Sequence, residues 1–159
     1  MIRDLPLDRA VMVAYEDDDR IEAPRAIVWK LLMDHLDDAK VVDIHPLIRS
    51  QTTVARSEHE AVLDRVIDVD RKMRKSRWKL TLEPPDHLRW EVVESEGPWT
   101  RGSHLDLTYS EEGKATRVRA RGELAFVKLP LLSSQERAVR RALDDLRTED
   151  VFFLRRYHY

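Results

Sequence analysis

Apolar positions follow two different periods along this chain, and the changes of period divide it into three parts. Val11, Val13 and Tyr15 alternate with smaller or polar neighbours, the period-two signature of a strand. The acidic triplet Asp17-Asp18-Asp19 interrupts that alternation before Arg20-Ile21-Glu22 resumes it. It reads as a solvated strand end or bulge, with metal binding as the sharper alternative. Pro24 suits a first helical position, where its missing N–H leaves no bond unmade. A helix from Pro24 to about His35 then buries Ile27, Val28, Leu31 and Leu32. A second short helix over Leu36–Asp43 carries Leu36, Ala39, Val41 and Val42, and Pro46 ends it.

From Leu47 onward the period is two. It predicts strands over 47–56, 60–70, 72–83, 87–95, 99–110 and 115–127. Ser57-Glu58-His59, Pro84-Pro85-Asp86, Glu96-Gly97-Pro98 and Glu111-Glu112-Gly113-Lys114 supply turns between them. Connections this short require antiparallel neighbours, since parallel pairing needs crossover helices. The last part returns to helical spacing. Ser133 and Glu136 have capping-box separation, and Ala138, Val139, Ala142, Leu143, Leu146, Phe153, Leu154 and Tyr157 follow on one face. A helix over about 134–157 is on the order of 36 Å long, enough to lie across the whole sheet.

The class is therefore α+β: a seven-stranded curved antiparallel sheet around a long C-terminal helix, with two short helices after the first strand. Residues 1–9 form an irregular lead-in, and no linker or repeat divides the remainder, so residues 1–159 read as one domain. A single helix about 10 Å wide cannot fill the concavity of so wide a sheet, so a pocket is expected between them.

Strand parity selects the residues that line it. Leu63, Arg65, Ile67 and Val69 share one face. Trp78, Leu80 and Leu82 form an inner row, as do Leu88, Trp90 and Val92, and Leu105, Leu107 and Tyr109. In the last strand Val118, Ala120, Gly122, Leu124 and Phe126 point in, and Arg117, Arg119, Arg121 and Glu123 point out.

Composition narrows the function classes. Hydrophobic residues make up 42% and charged residues 36%, a globular balance with a heavily charged surface. The absence of cysteine excludes disulfides, thiolate chemistry and cysteine-based zinc sites. A net charge of −2 argues against a nucleic-acid partner. No apolar run reaches the roughly 20 residues of a membrane span, and the N-terminus lacks a signal-peptide core, which places the protein in the cytoplasm. The six histidines show no metal-type spacing, and no phosphate or dinucleotide loop is present, so neither metal nor cofactor is expected.

Ile21-Glu22-Ala23-Pro24 followed by Val28-Trp29-Lys30-Leu31-Leu32-Met33-Asp34 resembles the opening motif of the START-like (SRPBCC, helix-grip) superfamily, polyketide cyclase/dehydrase-like branch. Gly113-Lys114-Ala115-Thr116-Arg117-Val118 resembles that group's turn into its last strand, and the likeness spans roughly residues 11–157. It implies a helix-grip fold and an apolar ligand cavity, in a group that contains both binders and enzymes. Two features depart from the pattern. Ile44 and His45 stand where many relatives carry an aromatic residue before the proline, and Ser57-Glu58-His59-Glu60 replaces the glycine-rich loop of the allergens.

The candidate ligand-binding residues are Arg65, Trp78, Trp90, Trp99, Leu107, Tyr109 and Phe126. An arginine on an apolar face is costly unless paired. Arg65 therefore either anchors a carboxylate, phosphate or phenolate, or reaches water, Glu22 or an aspartate. The tryptophans either wall a flat ligand or simply pack the core. The leading expectation is a carrier or binder of an apolar or aromatic small molecule such as a lipid, quinone or polyketide-like compound. A cyclase or dehydratase using Arg65 and Tyr109 is the second. The third is an interaction module that presents the basic sheet face, Lys75, Arg77, Lys79 and the arginine row, to a membrane or partner protein. The pattern leaves the oligomeric state open.

Overall fold

The computed structural model describes residues 10–45, 48–69, 71–97 and 100–127. The lead-in and the expected helix over 134–157 lie outside the described residues. β1 (Ala10–Ile21) leads into α1 (Arg25–Asp34) and α2 (Lys40–Ile44). Then come β2 (Ile48–Arg56), β3 (Glu60–Val69), β4 (Lys72–Glu83), β5 (His87–Ser95), β6 (His104–Glu112) and β7 (Ala115–Val127). Among the described residues the seven strands form one antiparallel sheet, in the order β1-β7-β6-β5-β4-β3-β2. Consecutive strands from β2 to β7 are neighbours, as short turns demand, and β1 closes against β7 from Ala10↔Val127 to Ile21↔Thr116. Register shifts at Ile48/Ser50, Thr53/Ala55 and Arg77/Trp78 are bulges, which bend strands and increase their twist.

Three expected boundaries move, each for a local reason. β1 runs unbroken through the acidic triplet, because its ladder to β7 leaves no residue unpaired there. The second helix begins at Lys40 rather than Leu36, because the Asp37 carboxylate accepts the backbone N–H groups of Ala39 (3.0 Å) and Lys40 (3.1 Å) and starts the helix there. β6 begins at His104 rather than 99, because Gly102 turns the chain at φ 97° and the ladder to β7 starts at His104, with the Ser103 hydroxyl bonding the carbonyl and N–H of Ala125 just before it.

The core sits on one face of the sheet, under α1 and α2. Leu63, Leu82, Leu124, Val28 and Val41 are fully buried there, each burial contributing roughly 1.5–3 kcal/mol. In α1 the buried pair is Val28 and Trp29, and Leu31 and Leu32 are only half-buried. The corner between β1 and α1 is fastened by Thr116, whose fully buried hydroxyl donates to the Ala23 carbonyl at 2.7 Å.

The opposite face is a lattice of ion pairs, most of them between strands. Arg117 joins Asp18 and Glu112, Arg121 joins Glu16, Arg77 joins Asp64, and Arg89 joins Asp106 and Glu91. Arg117 holds the Asp18 and Glu112 carboxyls below their usual range, and Arg77 does the same to Asp64. The outward arginine row is thus interleaved with acids contributed by neighbouring strands.

Candidate ligand cavity

Between the concave face and the two helices lies a cavity of about 270 Å³, near the lower end of the ~300–1,000 Å³ usual for ligand pockets. Its wall is mainly apolar, with Leu80, Leu88, Leu105, Leu107, Val118 and Ala120 supplied by the central strands. Trp78 and Trp90, on β4 and β5, meet edge to face with ring centroids 4.9 Å apart. The Trp78 indole N–H donates to the Ser76 hydroxyl at 2.7 Å, so the polar end of that ring is satisfied within its own strand.

Arg65 lines this cavity. Strand parity puts it between buried Leu63 and Ile67, and its guanidinium carbon lies 5.8 Å from the Trp78 ring centroid. Its Nε donates to Gln51 Oε1 at 2.8 Å, directly across the β2–β3 ladder. Gln51 in turn donates to Asp38 Oδ1 and to the His35 carbonyl, each at 3.1 Å. Asp38 also accepts the Thr53 backbone N–H and hydroxyl, both at 2.8 Å. Burial pushes the Asp38 carboxyl up. The bonds from Thr53 and Gln51 and the Arg65 charge outweigh it and hold the group below the usual carboxylate range. Among the described residues Arg65 thus has Gln51 as a partner, backed by Asp38.

His35 and His45 line the same cavity, rings edge to face at 6.0 Å. Burial, then the neighbouring His35 and the Arg65 charge, push the His45 imidazole down to about 3. Burial also lowers His35, and Arg65 adds to that shift. Both rings are neutral at pH 7. His35 Nδ1 lies 2.8 Å from the Leu31 carbonyl, which can only accept, so that nitrogen carries the proton.

Tyr109 lines the cavity from β6, packed edge to face on Trp29 of α1 at 5.8 Å. From β1, Tyr15, Asp17 and Asp19 reach the same space with Ile21. The reading of the acidic triplet as a solvated end or bulge is therefore corrected: Asp18 joins the outer lattice, and Asp17 and Asp19 face inward. Strand parity carried through from Val13 to Ile21 contains that signal.

Of the seven sequence candidates, Arg65, Trp78, Trp90, Leu107 and Tyr109 come together around this cavity. Trp99 and the Phe126 side chain lie outside the described residues. His35, His45 and Gln51 were not singled out as site residues, because they lie on separate elements and meet only when α1, α2 and β2 pack. Among the described residues no group of three histidines or carboxylates is placed to hold a metal ion, and no helix is long and apolar enough to cross a membrane.

Comparison with known structures tests the architecture. The aromatase/cyclase Zhui from Streptomyces sp. R1128 superposes with a TM-score of 0.77 at 14% identity, covering 91% of this chain and 92% of its own. The fold is START-like. The di-domain ARO/CYC StfQ from the steffimycin biosynthetic pathway gives a TM-score of 0.76 at 14% identity, covering 92% of this chain and 51% of its own. A START superfamily protein from Mycobacterium smegmatis gives 0.71 at 11%, covering 91% and 99%. No protein-family model matches the chain, and no curated protein sequence matches it significantly. The START-like fold explains the cavity's position: a curved sheet with helices over one face encloses space at its centre.

Proposed function

We propose that this START-like chain binds an apolar or aromatic small molecule, with an oxygen of that ligand held by Arg65. The observation that carries the reading is Arg65 set over Trp78, tied through Nε to Gln51, inside a mainly apolar cavity whose other polar lining includes Asp17, Asp19, His35 and His45. A guanidinium in such a wall offers planar, paired donors to a carboxylate, phenolate or enolate. Trp78 and Trp90 supply aromatic surface next to it. The two neutral imidazoles add hydrogen-bonding groups without adding charge.

A second reading, a cyclase- or dehydratase-type enzyme acting on a polyketide-like substrate, is supported by Arg65 and Tyr109 lining one cavity. In it, Arg65 orients a carbonyl oxygen and stabilises the negative charge that grows there as a base of the cavity wall, a carboxylate of Asp17 or Asp19 or a neutral imidazole, takes the proton from the neighbouring carbon. The Tyr109 hydroxyl then protonates that oxygen. The aromatase/cyclase Zhui and the ARO/CYC StfQ share the fold. The basic sheet face supports an interaction role less well, since acids from neighbouring strands pair its arginines.

The test is a thermal-shift screen against fatty acids, quinones and hydroxylated polycyclic aromatics, followed by incubation of each hit with product analysis. Stabilisation without turnover supports the binder, and turnover abolished by Arg65→Ala supports the enzyme. No stabilisation by any class would sink both.

A further inference from the structure

We propose that Gln51 is a positioning residue for Arg65 and thereby sets the cavity's preference for ligands with an anionic oxygen. The inference rests on the cavity reading above and extends it to a residue outside the cavity wall. Gln51 is buried on β2, an edge strand of the described sheet. Its side-chain amide spends both ends on this one task. The carbonyl oxygen accepts Arg65 Nε at 2.8 Å, and the amide nitrogen donates to Asp38 Oδ1 and the His35 carbonyl. A buried amide with both ends bonded cannot rotate without breaking a bond on each side.

The consequence for Arg65 is directional. Nε lies at the root of the planar guanidinium fork, so fixing it fixes the plane of the two terminal nitrogens. The plane so fixed stands over Trp78. Asp38 completes the device from outside. Thr53 anchors it from the same strand as Gln51, through a backbone N–H and a hydroxyl. Asp38 sits in the connection between α1 and α2, so the chain runs from helix connection to edge strand to cavity arginine. Gln51 gives Arg65 a neutral amide partner, and Asp38 acts through that amide at one remove. A carboxylate at position 51 would instead neutralise the cation at close range.

The experiment compares two dyes of nearly equal shape, 1-anilinonaphthalene-8-sulfonate, an anion, and N-phenyl-1-naphthylamine, which is neutral. Fluorescence titration gives Kd for each with the unaltered protein, Gln51→Leu, Gln51→Glu, Arg65→Ala and the double variant Gln51→Leu/Arg65→Ala. The unaltered protein binds both dyes. Gln51→Leu weakens the anion about fivefold, the scale of one ordinary hydrogen bond's net contribution, and leaves the neutral dye within about twofold. Gln51→Glu weakens the anion at least as much. In the Arg65→Ala background Gln51→Leu changes neither dye, because the group it positions is gone.

The ratio of the two dyes within each variant cancels any general loss of folded protein. Equal weakening of both dyes by Gln51→Leu, or an undiminished effect without Arg65, means a purely structural role and overturns the proposal. Failure of the unaltered protein to bind either dye overturns the cavity reading itself, and Gln51 with it. The two failures are therefore distinct.

Discussion

Arg65 stands over Trp78 with its guanidinium carbon 5.8 Å from the ring centroid, and both side chains line one cavity. The pair joins a fixed cation to a flat apolar surface. Arg65→Lys keeps the charge and removes the planar fork and the Nε donor to Gln51. Affinity for a planar aromatic carboxylate should fall about tenfold, the scale of a charge-assisted bond. The melting temperature should change little. Isothermal titration calorimetry measures the first and calorimetric unfolding the second. Equal affinity in the lysine variant would show that only charge matters.

The histidines predict a pH dependence of stability. His45 is lowered from 6.5 to about 3, chiefly by burial. A depressed folded value means that the unfolded chain binds the proton more readily below pH 6.5. Stability is therefore present above 6.5 and is lost as pH falls toward 3. His45 alone should remove about 2 kcal/mol between pH 8 and pH 5, and His35 acts in the same direction. The lowered carboxylates Asp18, Asp64 and Glu112 act at lower pH, so this window isolates the imidazoles. Urea unfolding of His45→Gln should show a flatter dependence between pH 8 and 5. An unchanged slope would mean that His45 is protonated as easily folded as unfolded.

Leucines in the core and in the cavity wall should respond differently to truncation. Leu63 is fully buried, so Leu63→Ala leaves a void and costs about 2–5 kcal/mol. Leu107 is half-buried beside existing space, so Leu107→Ala should cost roughly 1 kcal/mol, yet weaken an apolar ligand measurably. Denaturant melts and one ligand titration check both. Comparable stability losses at the two sites would contradict the placement of the cavity.

Much of the fold was legible in the residues. Period two from Leu47 onward located six strands, and Pro24 marked the start of α1. The inward rows Trp78-Leu80-Leu82 and Leu105-Leu107-Tyr109 follow directly from alternation. The site was legible only in part. A cavity side chain on a strand announces itself by parity, as Arg65 did among Leu63 and Ile67. Asp17 and Asp19 obeyed the same parity, but consecutive acids imitate a solvated surface. Gln51, Asp38 and His45 carry no local signal, because their roles arise from contacts between elements distant in sequence.

The outer face should be inert toward membranes. Arg77 and Asp64 form a two-bond pair at 2.6 and 2.9 Å, partly exposed. Exposed pairs contribute about 0–1 kcal/mol, so Arg77→Ala should shift stability by less than that. Sedimentation with vesicles rich in phosphatidylserine should leave the protein in the supernatant. Pelleting that disappears in high salt would instead restore the interaction-module reading.

The central claim is that an oxygen of an aromatic or apolar ligand sits against Arg65 within this cavity. A crystal structure of the protein soaked with 1,8-dihydroxyanthraquinone tests it most directly. The account predicts the ring system against Trp78 and Trp90, with one oxygen about 3 Å from an Arg65 nitrogen. A ligand bound only on the outer face, or in the cavity with every oxygen turned away from Arg65, would contradict it.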